Sequence, residues 1–248
     1  MIDYKEKYER LLAAVTALGK RFSLTPIELD LESLESVNLA FSSSGEDLWL
    51  RQFMKSRLRS GTPGFYIDVG ANEPMITSNS YLFYCSGWRG VCIDANPRFF
   101  PEYKVHRPRD ILVNAAVSDL GTTLYFAEEK MTAGHKTARV MSNPNDFGPS
   151  FYPPVKVPAM TLAQILQAHV PPGTDIDFMS MDLEDSELPA LRSNDWSTYR
   201  PRVILIECGA GFDPLAPLRF PTIDFLHSHG YRYQGSCNNN VLMTSPEF

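Results

Sequence analysis

Residues 65–75 read FYIDVGANEPM. An apolar run ends in Asp68, a Gly70-Ala71-Asn72 turn follows, and Glu-Pro closes the stretch. The pattern predicts a strand that feeds a ligand loop. Dinucleotide loops use three glycines, so that backbone and helix N-terminus can approach a pyrophosphate. Here there is one glycine, and an aspartate sits where the phosphates would come. That acid repels a pyrophosphate and attracts a cation. An ordinary strand–turn–helix is the plain alternative.

The second strand, read from CIDANP, places Asp94 about 26 residues after Asp68, near the spacing at which an acid meets ribose hydroxyls in a βαβ nucleotide site. S-adenosylmethionine (SAM) carries a sulfonium and an ammonium and no phosphate, and so suits both acids. Gly70 lets the turn approach a ligand without a Cβ in the way. Asn72 offers an amide to a carboxylate. NAD also wants the second acid, so the first loop separates the two ligands. Ala71 and Ala95 flank these turns. After the third strand, Asn114 and Ala115 leave room for an adenine, or equally suit tight helix–sheet packing.

Around this centre, Val/Ile/Leu-rich runs alternate with helical stretches, which predicts a mainly parallel sheet buried on both faces. The expected helices include SNSYLFYCSG, closed by Gly87, and one capped by Thr161. Another, begun at Ser43 or Ser44, carries Leu48, Trp49, Leu50 and Phe53. YRYQGSCNNNVLMTS reads as a closing hairpin. Residues 127–154 are rich in Gly, Pro, Asn and Ser, and read as a long functional loop, a lid on the acceptor side. Tyr4, Tyr8, Leu11, Val15, Leu18 and Phe22 repeat at alternating four and three residues. This is an N-terminal helix with one apolar stripe, suited to homo-oligomer formation or docking. Residues 1–42 are expected as a helical extension and 43–248 as the main domain.

The 248 residues, 44% of them hydrophobic, suffice for one large core. A net charge of −6, mixed along the chain, argues against broad attraction to nucleic acid or an anionic membrane. No apolar run is long enough to span a bilayer. Cys85, Cys92, Cys208 and Cys237 form no C-x-x-C pair and read as buried, reduced thiols, which points to the cytoplasm.

Taken together, SGEDLWL, GFYIDVGANEPMITSNSYLFYCSGWRGVCIDANP, RPRDILVNAAVS, IDFMSMDLEDSELPALRSNDW, YRPRVILIE and HGYRY…NNNVLM resemble the FkbM family of SAM-dependent methyltransferases, in the family's order from about residue 43 onward. The resemblance implies the class I methyltransferase fold: a mainly parallel, doubly wound seven-stranded sheet whose last strand runs antiparallel. It implies O-methylation, often of sugar hydroxyls, and hence a saccharide or small-molecule acceptor. Asp68, Gly70, Asn72 and Asp94 fall in the family's cofactor segments, and Ser78 and Asn79 match a segment at the methionine end. The chain departs from the family at MDLED, where Asp185 stands for the usual glycine, and lacks the Gln that commonly precedes GED.

Methyl transfer to a hydroxyl needs an aligned nucleophile and a destination for its proton. Asp182 and Glu207 end the fourth and fifth strands, and Glu184 follows Asp182 by two residues. Adjacent strand ends of an open parallel sheet converge on the ligand. Asp182 and Glu207 therefore read as oxygen ligands for Mg²⁺, or Asp182 or Glu184 as the base. Alternatively, Glu184 and Asp185 only favour the next helix N-terminus. His135 is a further candidate base. A non-catalytic SAM-binding protein acting through the N-terminal helix is the competing reading.

Overall fold

Five consecutive residues, Phe65–Val69, are all buried, as expected of a strand covered on both faces. A computed structural model describes residues 38, 40–119, 123–130, 138–209 and 211–248. The N-terminal helix and His135 lie outside the described residues.

In chain order the elements are α1 (Glu46–Phe53), α2 (Lys55–Ser60), β1 (Phe65–Val69), α3 (Tyr81–Cys85), β2 (Arg89–Asp94), α4 (Phe100–His106), β3 (Ile111–Asn114) and β4 (Ala116–Val117). Then come β5 (Leu124–Glu128), β6 (Ala138–Met141), β7 (Val155–Val157), β8 (Ala159–Met160), α5 (Leu162–His169) and β9 (Phe178–Met181). The last are α6 (Glu187–Arg192), β10 (Val203–Glu207), α7 (Pro221–Ser228), β11 (Arg232–Cys237) and β12 (Asn240–Thr244).

The main sheet has seven strands in the order β11-β12-β10-β9-β1-β2-β3. It is mixed rather than purely parallel. β12 runs antiparallel to both β10 and β11, so the closing hairpin folds its second strand into the sheet. β1 pairs in parallel with β2 on one side and β9 on the other. Strand order reverses between β1 and β9, which makes their carboxyl ends the topological switch point, where open α/β sheets bind ligands.

Alternating side chains divide between two cores. Ile67, Val69, Ile93, Met179 and Ile204 pack with Leu166 of α5, Leu191 of α6 and Leu226 of α7. Tyr66, Cys92, Phe178 and Leu205 pack with Leu50 of α1, Phe83 of α3 and Tyr103 of α4. The sheet is thus doubly wound. Cys92 and Cys208 are buried free thiols, whereas Cys85 is exposed. No helix among the described residues is long and apolar enough to cross a membrane.

Two local expectations are corrected. Neither Ser43 nor Ser44 caps α1; the N-cap is Gly45, with φ 87° and no side-chain cap. Acids inside the helix reach back instead. Asp47 accepts from the Phe41 N–H and the Ser42 hydroxyl, each at 2.7 Å, and Glu46 accepts from the Ser44 N–H at 2.8 Å. Nor is 127–154 irregular throughout its described part. β6 and the nearby β7 flank β5 in an antiparallel three-stranded sheet, whose small core holds Leu124, Phe126 and Val157. Phe126 belongs to that core. The Thr161 cap of α5 is present as a full capping box with Gln164.

Candidate active site

The loops after β1 and β2 are tied together by main-chain donors. Gly70 and Ala71 N–H both donate to the Ile93 carbonyl, at 2.9 and 3.1 Å. Asp94 accepts from the Asn72 N–H through one carboxylate oxygen and from the Asn96 N–H through the other, each at 2.7 Å. Burial nevertheless pushes the Asp94 pKa up to about 6, against the pull of those two bonds. The Asn114 amide donates to the Asp94 and Ala95 carbonyls, both at 2.9 Å, and so fixes the β2 turn.

Gly70 has φ +81°, and a Cβ built on it would lie 1.8 Å from the Asp182 carbonyl oxygen. The glycine is therefore demanded by the close passage of β1 and β9 loops at the switch point. Asn72, at φ 48°, occupies the left-handed region that asparagine tolerates.

Beside these loops lies a cavity of about 260 Å³, lined by Asp94, Ala95, Ala115 and Val117 from β2, β3 and β4, and by Leu183 and Pro189 beyond β9. Val140 and Ser142, at the end of β6, also line it, as do Ser118 and Asp119. The small antiparallel sheet thus walls this cavity, whereas the sequence suggested an acceptor-side lid. Of the residues assigned from sequence to the cofactor, Asp94, Ala95 and Ala115 line the cavity. Gly70, Ala71, Asn72 and Asn114 shape its neighbouring backbone.

Asp68, Ser78 and Asn79 do not line it. The Asp68 carboxylate is buried and accepts a short hydrogen bond from the Ser80 hydroxyl. Burial raises its pKa, while Arg107 and Ser80 oppose the rise. Arg107, 1% exposed, donates to Ser80 Oγ at 2.8 Å, to the Tyr66 hydroxyl at 3.0 Å, to Ser78 Oγ at 3.3 Å and to the Pro74 carbonyl at 3.2 Å. Its Nε pairs with Asp110 at 2.7 Å. Asn79 donates to Ser180 Oγ on β9 at 3.0 Å. Nothing in the spacing of HRPRD, where Arg107 and Arg109 stand two residues apart, marks Arg107 as the centre of a buried network.

Carboxylates crowd the ends of β9 and β10. Oxygens of Asp182, Glu187 and Glu207 lie within 4.8 Å of one another. Asp182 is exposed, but its carboxyl is packed among protein atoms and shares a hydrogen bond with Glu207. Desolvation, that bond and the negative charges of Glu207, Glu184 and Glu187 push its pKa up to about 9. Glu184 rises to about 7, through desolvation and then the fields of Glu207, Glu187 and Asp185; Arg139 on β6 opposes this. Glu187, buried at the start of α6, also titrates above its usual range through burial, although it accepts the Leu183 N–H at 2.7 Å. It was missed in the sequence because an acid in a first helical turn has an ordinary explanation. Glu207 accepts from the Asn239 amide at 2.6 Å.

Asp185 stands in a backbone conformation that favours glycine. It sits at φ 77°, where a glycine is at ease, and its carboxylate lies over Gly209: a Cβ there would fall 1.9 Å from Asp185 Oδ1. Glu184, beside it, is also left-handed, at φ 51°.

An open, doubly wound sheet with one antiparallel strand, a cavity at its switch point and acids on the next strand ends define a methyltransferase architecture. The Methyltransferase FkbM domain model matches residues 68–233, and the chain belongs to that family. Among solved structures the chain is similar to an O-methyltransferase of tomaymycin synthesis from Streptomyces achromogenes in complex with SAM, at 10% identity, over 94% of this chain and 89% of that one, with TM-score 0.40. It is also similar to the 1,6-didemethyltoxoflavin N1-methyltransferase of Burkholderia thailandensis bound to S-adenosylhomocysteine, at 12% identity, over 98% and 90%, with TM-score 0.38. No curated protein matches the chain.

Proposed function

We propose that the chain is a SAM-dependent O-methyltransferase that methylates a hydroxyl of a sugar or a glycosylated small molecule. The observation that carries this reading is the crowding of Asp182, Glu184, Glu187 and Glu207 at the strand ends next to the Gly70 turn. An acceptor hydroxyl loses a proton on methylation, and a carboxyl cluster in which Asp182 is pushed up to about 9 and Glu184 to about 7 suits that exchange.

SAM supplies an electrophilic methyl group when bound. The apolar cavity beside Ala95 and Ala115 suits the adenine. Asp94 suits the ribose, because each of its oxygens keeps a lone pair after accepting one backbone N–H. Asp68, held by Ser80 and Arg107, contributes negative potential beneath the turn. The hydrogen-bonded Asp182–Glu207 pair holds one proton between its two carboxyls and receives the acceptor proton on the carboxylate that remains ionised, with Glu184 as the nearby second acid.

Asp182, Glu187 and Glu207 fit a hard divalent cation such as Mg²⁺, which prefers carboxylate oxygens. Such an ion, when bound, would lower the pKa of an acceptor oxygen. Residues 1–42 are proposed as a helical extension through which copies of the chain associate.

The test is incubation of the full chain with methyl-labelled SAM and a panel of glycans and glycosides, with and without EDTA. Label in an alkali-stable ether of one acceptor is expected. SAM binding by calorimetry with no transfer to any acceptor would favour a non-catalytic SAM-binding protein.

A further inference from the structure

A second cavity, of about 540 Å³, opens at the other end of the sheet. Its lining comes from Gly64 and Phe65 at the start of β1, Arg89 at the start of β2, Arg109 just before β3, and Thr174 before β9. These four strands are parallel, so this is the amino pole. Six residues of extended chain, from Gly64 to Gly70, separate it from the switch point, about 20 Å at ~3.3 Å per residue.

Three arginines line this cavity: Arg57, Arg89 and Arg109. Two are held in place. Arg109 donates to the Tyr84 carbonyl, and its guanidinium carbon lies 3.8 Å from the centre of the Tyr84 ring. Arg57 Nε is buried and lies 3.3 Å from Asp177, but makes no hydrogen bond. Arg89 has no side-chain partner among the described residues. The one acid in the lining, Asp175, is paired with Arg202 at 2.7 Å. With Arg57 paired to Asp177 and Asp175 to Arg202, Arg89 and Arg109 are left without a carboxylate partner among the described residues at this concave site, in a chain whose net charge is −6.

We propose that this amino-pole cavity binds a small phosphorylated or sulfated ligand through its tetrahedral oxyanion. Planar guanidinium forks match phosphate oxygens, and two forks already fixed by the protein lose little freedom on binding. A bare ion would leave much of the volume empty, so the site has room for a sugar-sized group beyond the oxyanion. The distance from the switch point makes it a separate site, and its occupancy does not depend on the methyl-transfer reading.

The experiment is calorimetric titration of the full chain with glucose 6-phosphate, inorganic phosphate and glucose, repeated on Arg89→Gln/Arg109→Gln. Both side chains are exposed and make no carboxylate pair, so the fold is expected to persist, which a SAM titration of the variant checks. Saturable binding of glucose 6-phosphate, none of glucose, and a loss of about tenfold or more in the variant at unchanged SAM affinity is the expected result. Three results would overturn the proposal: no saturable binding of either phosphate, equal affinity in the variant, or displacement of the bound phosphate by SAM.

Discussion

Arg107 and Asp182 both lie among carboxyl groups near β1, and the two clusters could hardly differ more. Around Arg107 every charge has a partner: Asp110 at 2.7 Å, with Ser80 relaying the contact to Asp68. Around Asp182 the neighbours are Glu207, Glu184 and Glu187, all of one sign. The first cluster lies beneath the turn after β1 and bonds it at the Pro74 carbonyl. The second stands at the strand ends with its charges opposed only in part, by Arg139 near Glu184. Compensated charge here ties elements of the fold together; the uncompensated charge is what the proposed function assigns to proton exchange.

The contrast breaks most visibly at Arg107. Arg107→Met leaves Asp110 and Asp68 buried without their cation, and should cost about 3–5 kcal/mol in urea unfolding. A loss below about 1 kcal/mol would mean that the network is not what holds the turn. Next in size is Asp94→Ala, which removes an acceptor from two backbone N–H groups and from the proposed ribose contact. SAM affinity should fall by about 1.5–3 kcal/mol in calorimetry. Unchanged affinity would remove Asp94 from the cofactor site.

Asp185→Gly should raise stability by about 1 kcal/mol, since it relieves a left-handed residue and withdraws a charge from a like-charged cluster. Destabilisation would show that the Asp185 contact with Gly209 matters more than φ.

The smallest effect sharpens the comparison through pH. Asp182 titrates near 4 in an unfolded chain and at about 9 in the fold. A folded pKa raised above the unfolded one gives stability that is full below about 4 and lost as pH climbs to about 9. Glu184, raised to about 7, has the same sign. The melting temperature should therefore fall from pH 5 to pH 9, and fall less in Asp182→Asn. The partial exposure of Asp182 keeps the change modest. A parent melting temperature that rises across this range would contradict the cluster's electrostatics.

Much of the fold is legible in the sequence because its cause is local. IDFMSM and VILIE are mainly apolar stretches of strand length, and Thr161 with Gln164 spells a capping box. Asp94 was readable from its spacing to the first loop. Other features depend on contacts remote in the chain. β6 and β7 have four and three residues amid Pro, Asn and Gly, too short for periodicity to show. Arg107 meets Tyr66, 41 residues away, and Ser80, 27 residues away. Asp68 reads as the end of an apolar run, and β1 continues one residue past it to Val69; only the fold shows Ser80 beneath it. Gly70 was read as room for a ligand, and the fold adds the Asp182 carbonyl that it must pass.

The account stands or falls on the acid cluster as the methyl-transfer centre. The most direct test is label transfer from SAM to the accepted glycan by the parent chain and by Asp182→Asn, with SAM affinity measured on the same samples. A rate loss of about 10²-fold or more at unchanged SAM affinity is the expected result. Undiminished transfer by Asp182→Asn would contradict it.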